Sequence, residues 1–254
     1  SSGKGGNVVA FLMEHEHYSY PEALKYLAQR YNIEIDEEEQ TPDEVEAQNE
    51  KESLYNVSAF AQKYYSNNLI NTDEGKAVGL TYFKERGFTE KTIEKFELGY
   101  GLKEWDHFTK HAQKNGYKLE FLEKTGLTIS KDGKQFDRFR ARVIFPIHNL
   151  TGRVIGFGGR ILASEENKPK YINSPESEIY NKSKVLYGIF QAKNNIATND
   201  NCYLVEGYTD VIMAHQYWLK NIVAALGTAL GERHFKLLQR FADRITLVLD
   251  GDEA

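Results

Sequence analysis

Cysteine occurs once in the 254 residues, at Cys202. One thiol excludes an internal disulfide framework and, within these residues, a zinc site of the usual multi-cysteine kind; it fits a reducing compartment. Apolar runs are short, and none approaches the roughly 20 residues a membrane-spanning helix requires. The first residues, Ser1 to Phe11, show no charged-then-apolar signal layout. No internal repeat or low-complexity tract occurs. What is present is globular: hydrophobic residues make up 41% and charged residues 27%, near the average for folded domains. The length suffices for one large domain or two modest ones with a buried core. The expectation is a soluble, cytoplasmic protein with no membrane partner.

The net charge of −5 argues, taken globally, against a nucleic-acid partner. The charge is unevenly spread. Between Glu34 and Glu52 there are ten acids and one base, Lys51, a local balance of −9. Between Phe136 and Lys193 there are ten bases and five acids, a balance of +5. Screening erases distant charge beyond about 8 Å at physiological salt, so a phosphate-binding surface remains open in the second stretch.

Four segments follow from periodicity. Ser19-Tyr20-Pro21-Glu22 has capping-box spacing, and Leu24, Leu27, Ala28 and Tyr31 repeat behind it on one helical face, so residues 1–33 read as a small helical piece. Residues 34–52 read as an acidic, solvated linker that continues into a helix at Val45. From 53 to about 130 helical spacing dominates (Leu54, Val57, Phe60, Ala61, Tyr64). Gly87 is placed to end one helix and Thr89 to cap the next. Arg142 to Ile147 and Arg153 to Phe157 then form a β-hairpin around Asn149–Gly152, followed by a polar loop through Pro169 and Pro175. From 185 to 254 the pattern is strand (Cys202–Val205), helix, strand (Ile222–Leu226), helix (231–241), strand (Ile245–Leu249), which implies a parallel sheet covered by helices.

Ligands of an open parallel sheet sit beyond the carboxyl ends of its strands. Two of these strands end in acids: Glu206 with Asp210 a few residues on, and Asp250 with Asp252. If the strands are neighbours the acids converge, and such carboxylates repel unless a cation neutralises them; oxygen-only ligation favours Mg²⁺ or Mn²⁺. Singly, Asp210 also reads as a helix cap, Glu206 as a polar strand end and Asp250–Asp252 as a turn; acids ending two strands of one sheet point to the metal. Arg138, Arg140 and Arg142 alternate, so a strand would place all three on one exposed face, either solvated or phosphate-binding. Lys170, Tyr171 and Asn173, in the loop between Pro169 and Pro175, offer a cation, an aromatic plane and an amide to a nucleotide. His15 and His17, and His107 and His111, have no third ligand within reach and read as surface histidines. Cys202 opens a buried strand as an inert core residue.

At this point the motifs resemble a known family. Val205-Glu-Gly-Tyr-Thr-Asp-Val211 and Leu249-Asp-Gly-Asp252 are similar to the two acidic motifs of the Toprim fold. Asp137-Arg-Phe-Arg-Ala-Arg142, Phe145-Pro146, Gly156-Phe-Gly-Gly-Arg160, Pro169-Lys-Tyr-Ile-Asn-Ser-Pro175, Leu186-Tyr-Gly188 and Leu226-Gly-Thr228 resemble, in order, the bacterial DnaG-type DNA primases. The resemblance covers nearly the whole chain. It implies an α+β N-terminal subdomain (53–184) followed by an incomplete α/β Toprim domain (185–254), and an enzyme making short RNA primers on single-stranded DNA from NTPs by two-metal nucleotidyl transfer. Glu206, Asp250 and Asp252, with Asp210 nearby, would hold Mg²⁺ or Mn²⁺. Arg86, Arg138, Arg140, Arg160, Lys170 and Lys182 would form the basic template ridge, and Lys170, Tyr171 and Asn173 would contact the NTP. Residues 1–33 resemble the end of a zinc-binding domain, with Ser2 where a cysteine is expected, so Zn²⁺ would belong only to upstream residues. The helicase-binding C-terminal domain would likewise lie beyond this chain, making it a fragment that binds DNA without necessarily making primers.

Two rival readings remain. Leu249-Asp250-Gly251-Asp252 also resembles the aspartate pair of haloacid-dehalogenase-type phosphohydrolases, although there the pair follows an early strand. The basic stretch alone would suit a non-catalytic, single-stranded-DNA-binding replisome scaffold.

Overall fold

A computed structural model describes residues 8, 9, 12, 20–31, 33, 42–162, 169–226 and 230–249, and within the described residues α1 spans Tyr20–Tyr31 and α2 spans Pro42–Asn71. The chain divides into two compact units, residues 1–48 and 49–254. In the first, Ala28 of the expected apolar face of α1 is buried and Leu27 half-buried, while Leu24 and Tyr31 are exposed. The capping residue Ser19 lies outside the described residues. The linker expectation needs correction from Pro42 onward: the acidic residues are the solvent-exposed first turns of α2, three residues earlier than the expected start at Val45. Asp43 and Glu44 sit in its first turn, where carboxylates complement the helix dipole.

In the second unit, α2 buries Leu54, Val57, Ala61, Tyr65 and Leu69 at helical spacing. A π-helical turn, Gly75–Leu80, leads into α3 (Thr81–Glu85). Gly87 then takes a φ of 79°, the left-handed conformation that ends a helix without a Cβ penalty. Thr89 caps α4 (Glu90–Lys95), its hydroxyl accepting from the Thr92 amide at 3.3 Å.

β1 (Gly99–Gly101) joins a four-stranded antiparallel sheet; α5 (His107–Lys114), α6 (Leu119–Lys124) and a separate hairpin, β2 (Thr128–Lys131) with β3 (Lys134–Asp137), follow in the chain. β4 (Arg142–His148) and β5 (Val154–Ile161) form the expected hairpin at the centre of the four-stranded sheet, whose order is β1-β4-β5-β6. The polar loop after β5 contains β6 (Tyr171–Asn173), which sequence periodicity did not reveal. Every residue of β4 is buried, because the strand has a core on each face. Val143, Phe145 and Ile147 point into one hydrophobic cluster and Ile144 into the other, the period-two alternation of a strand. Each such side chain contributes about 1.5–3 kcal/mol on burial.

A 3₁₀ turn (Lys182–Lys184) and α7 (Ile189–Asn199) lead into a three-stranded parallel sheet. Its order is β8 (Ile222–Ala224), β7 (Asn201–Val205), β9 (Arg244–Leu247), with α8 (Tyr208–Gln216) and α9 (Glu232–Leu238) as connections. This is the strand–helix alternation expected, with the two acid-ended strands as neighbours. Cys202 is buried and unpaired, and burial pushes its thiol up to about 12, which leaves it unreactive. Among the described residues no helix is long and apolar enough to cross a membrane.

The two sheets share a core. Val143 and Phe145 of the antiparallel sheet belong to one cluster with Val205, Tyr208, Val211 and Ile222 of the parallel one. On another part of this seam the Gln216 amide donates to Gly87 O at 2.8 Å and accepts from Thr89 N at 2.9 Å.

Candidate functional site

The strand-end acids and the cationic strand meet through one tyrosine. Glu206 follows β7 directly and is exposed. Gly207 then opens α8, which starts at Tyr208. A Cβ at Gly207 would lie 2.6 Å from Asp210 Oδ2, so glycine lets the exposed Asp210 carboxylate fold back toward the strand end. Val248 N donates to Leu204 O at 2.9 Å, so β9 reaches the same end of the sheet as β7. Asp250 and Asp252 come next in the chain and lie outside the described residues. Among the described residues no group of three or more His, Cys, Asp or Glu side chains is placed to hold a metal. The donor chemistry of Glu206 and Asp210, two solvent-facing carboxylates beside a glycine, fits a hard divalent cation.

Tyr208 is buried, and burial holds its phenol well above the ordinary tyrosine value, so it acts as a neutral donor. Its hydroxyl donates to Asn173 Oδ1 at 2.7 Å, and its ring stacks on Phe145 at 4.8 Å. The ring lies directly over β5: a Cβ at Gly158 would come within 2.2 Å of the Tyr208 hydroxyl. The glycine of the Gly156–Arg160 motif is therefore a seat for the first turn of α8.

β5 and β6 pair with Arg160 opposite Tyr171 and Gly158 opposite Asn173. The Arg160 guanidinium lies 4.6 Å from the Tyr82 ring and 5.9 Å from that of Tyr171. Arg86, four residues along from Tyr82, places its guanidinium 5.4 Å from the same Tyr82 ring. Tyr171 is exposed and in turn stacks on Tyr208 at 6.0 Å. Lys170, exposed, precedes it. The structure thus brings Arg86, Arg160, Lys170 and Tyr171 onto one edge. Among the described residues neither Arg86 nor Arg160 pairs with a carboxylate.

Asn173 is held on three sides. Its amide accepts from Tyr208 and donates to Leu226 O at 3.3 Å, and its backbone carbonyl accepts from Arg138 Nε and Nη2 at 3.2 and 3.0 Å. Its role in the fold is to tie the two sheets together.

The expectation of three arginines on one strand face is overturned. Residues 138–141 form a turn between β3 and β4, with Ala141 at a φ of 50°, which breaks the alternation. Arg138 points to the Asn173 carbonyl. Arg140 lies 3.9 Å above the Trp105 ring. Arg142 is buried, its Nη1 donating to the carbonyls of Gly159, Pro169 and Lys170 at 3.2–3.3 Å, so it clamps the Lys170 segment to the sheet. Asp137, the first residue of this motif, is likewise structural. It accepts from Phe108 N at 2.7 Å, Thr109 N at 2.9 Å and Thr109 Oγ1 at 2.7 Å, which caps α5. Burial still leaves its carboxyl above the ordinary value despite those bonds. Lys182, half-buried on the 3₁₀ turn, is fixed through its backbone: its amide donates to Glu176 Oε1 and its carbonyl contacts His234 Nε2. His107 bonds the Tyr64 hydroxyl at 2.6 Å and His111 is exposed. His15 and His17 lie outside the described residues.

Sequence reasoning missed Tyr82 and the structural role of Tyr208. The i, i+4 spacing of Tyr82 and Arg86 is the available signal for the first. Nothing local connects Tyr82 to Arg160, 78 positions on.

Residues 64–193 match the family described as DNA primase catalytic core, N-terminal domain, residues 200–254 match the Toprim domain, and residues 1–43 match the CHC2 zinc finger. The only cysteine, Cys202, is outside that last segment. A DNA primase of Clostridium acetobutylicum is 42% identical across 99% of this chain and 41% of its own length. The RNA polymerase domain of Mycobacterium tuberculosis primase DnaG is 38% identical, with a TM-score of 0.74 over 79% of this chain and 67% of that one. The same domain in complex with a double-stranded DNA oligomer carrying a 6-nucleotide overhang is 37% identical, with a TM-score of 0.75 over 79% and 64%. The chain spans about two fifths of the length of the curated relatives it matches.

Proposed function

The chain belongs to the bacterial DnaG-type primase family, and from that premise we propose that it supplies the template- and nucleotide-binding part of an enzyme that makes short RNA primers on single-stranded DNA. The observation that carries the reading is the Tyr208–Asn173 bond, which joins the Glu206–Asp210 turn to the edge bearing Arg160, Lys170 and Tyr171. Arg86 and Arg160, with Arg138, Arg140, Lys170 and Lys182, hold the template by its phosphates. Lys170 takes the NTP phosphates and Tyr171 lies against the base, while Asn173 positions both through β6. Glu206, Asp210, Asp250 and Asp252 are the oxygen donors for Mg²⁺ or Mn²⁺. Such ions, when bound, activate the attacking 3′-hydroxyl and neutralise the departing pyrophosphate. The M. tuberculosis relative solved with overhang DNA supports the nucleic-acid role. Zn²⁺ and a replicative-helicase contact belong, in this reading, to parts of the longer relatives, and the setting is the cytoplasmic replisome.

The test is incorporation of labelled NTPs on single-stranded DNA with Mg²⁺, in a polypeptide of the relatives' full length that carries these residues. Glu206→Gln and Asp250→Ala are expected to abolish synthesis while leaving DNA binding intact. Undiminished synthesis by both variants would remove these acids from the chemistry. No synthesis by the unaltered protein, with DNA binding retained, would leave the scaffold reading.

A further inference from the structure

A second basic site lies at the other end of β4. A groove of about 480 Å³ opens between the β4–β5 turn, the 3₁₀ turn and α9. Arg142 and the Lys170 segment are at the start of β4 and His148, at the groove, is at its end, about 20 Å away at 3.3 Å per residue. The floor is aliphatic: Leu150, Val185, Ile189 and Leu237. The rim is cationic: Lys184, Arg233, Lys236 and Arg240, with no acid lining it. Lys236 is paired with Glu232 at 2.6 Å, but among the described residues no carboxylate pairs with Lys184, Arg233 or Arg240. The walls are tied in place. Lys193 donates to Leu150 O at 2.6 Å, Arg233 to Ser183 Oγ at 3.3 Å, and His234 contacts Lys182 O at 2.9 Å.

We propose that this groove binds an acidic peptide segment that carries a large aliphatic side chain. Two guanidiniums and an ammonium around a cavity suit carboxylates, which arginine grips with paired N–H donors. The aliphatic floor suits a leucine-sized side chain, and the volume falls within the range of small-ligand sites. A nucleic-acid strand fits less well, since the one aromatic ring lining the groove, that of His148, is buried and held by Glu97 at 2.7 Å rather than offered to stack a base. The charge complementarity therefore selects a protein partner of opposite charge.

The test is fluorescence anisotropy of a fluorescein-labelled hexapeptide, Asp-Asp-Glu-Asp-Leu-Leu, against the chain. Replacing both leucines by serine is expected to weaken binding about tenfold, the effect of losing a buried aliphatic side chain. Arg233→Ala and Arg240→Ala should each weaken it about tenfold, the effect of a charge-assisted bond. Arg233→Glu with Arg240→Glu should reverse the preference toward a lysine-substituted peptide, a gain that misfolding would not produce. Equal binding of the leucine and serine peptides would overturn the proposal. So would displacement of the peptide by an oligothymidylate whose own affinity falls equally in the two alanine variants, which would assign the groove to nucleic acid.

Discussion

Arg153 and Arg160 flank the same strand, one just before β5 and one near its end, and their surroundings differ in kind. Arg153 donates to both Glu52 carboxylate oxygens, at 2.8 and 2.7 Å, and lies 3.6 Å above the Tyr55 ring. The bond lowers the Glu52 carboxyl below its ordinary value and raises the guanidinium of Arg153. Both groups are largely exposed, so the pair contributes little to stability. Arg160 instead sits between the faces of Tyr82 and Tyr171. A carboxylate orients an arginine by cancelling its charge, whereas an aromatic face orients it and leaves the charge to act on something else. The end of the strand that faces the acidic turn is the end where the charge is kept.

The severest way to break this contrast is to remove the seat on which the charged end rests. Gly158→Val would drive a side chain into the buried Tyr208 ring and is expected to cost about 3 kcal/mol in urea unfolding, with the Arg153–Glu52 end unaffected. Next is the seam beneath it. Burial, with Lys95 3.4 Å away and Lys220 nearby, pushes His215 down from 6.5 to about 4. The unfolded chain thus binds a proton that the folded chain refuses. Stability is full above pH 6.5 and falls as pH drops toward 4. Between pH 7 and 5 the loss should be about 2 kcal/mol, and His215→Gln should flatten that part of the unfolding profile.

The contrast is tested directly by two alanine variants. Arg160→Ala should weaken binding of an oligothymidylate about tenfold and lower the slope of log affinity against log salt by about 1. Arg153→Ala should leave both unchanged, and equal losses in the two would dissolve the distinction. The smallest effect is the sharpest: Tyr82→Leu keeps every charge and removes the face between two guanidiniums, with an expected two- to fivefold loss of affinity.

The parts of this structure that were legible in the sequence are those governed by local rules. The β4–β5 hairpin, the strand–helix alternation after residue 200 and the Thr89 cap follow from apolar period and capping chemistry, and each appears where expected. The misread parts depend on single backbone torsions or distant partners. The arginine alternation fails at Ala141, a residue type that gives no warning of a left-handed φ. The acidic stretch reads as linker by charge density, although Asp43 and Glu44 are where a helix start benefits from them. Among the candidate residues, Lys170 and Tyr171 present themselves to solvent as their types suggest, whereas Asn173 and Arg142 are committed to backbone carbonyls and, for Asn173, the Tyr208 hydroxyl, partners that no local pattern reveals.

The π-helical turn at Gly75–Leu80 also sets a rotary phase. Each residue of a regular helix advances the side-chain direction by about 100°, and a π turn holds one residue more than an α turn in the same coil. If the same residues closed instead as ordinary α-helix, with none removed, everything after them would turn by about 100°, carrying Tyr82 and Arg86 together off Arg160 without changing a single residue of the site. The six residues of this turn act as the indexing step that aims one helix at one strand.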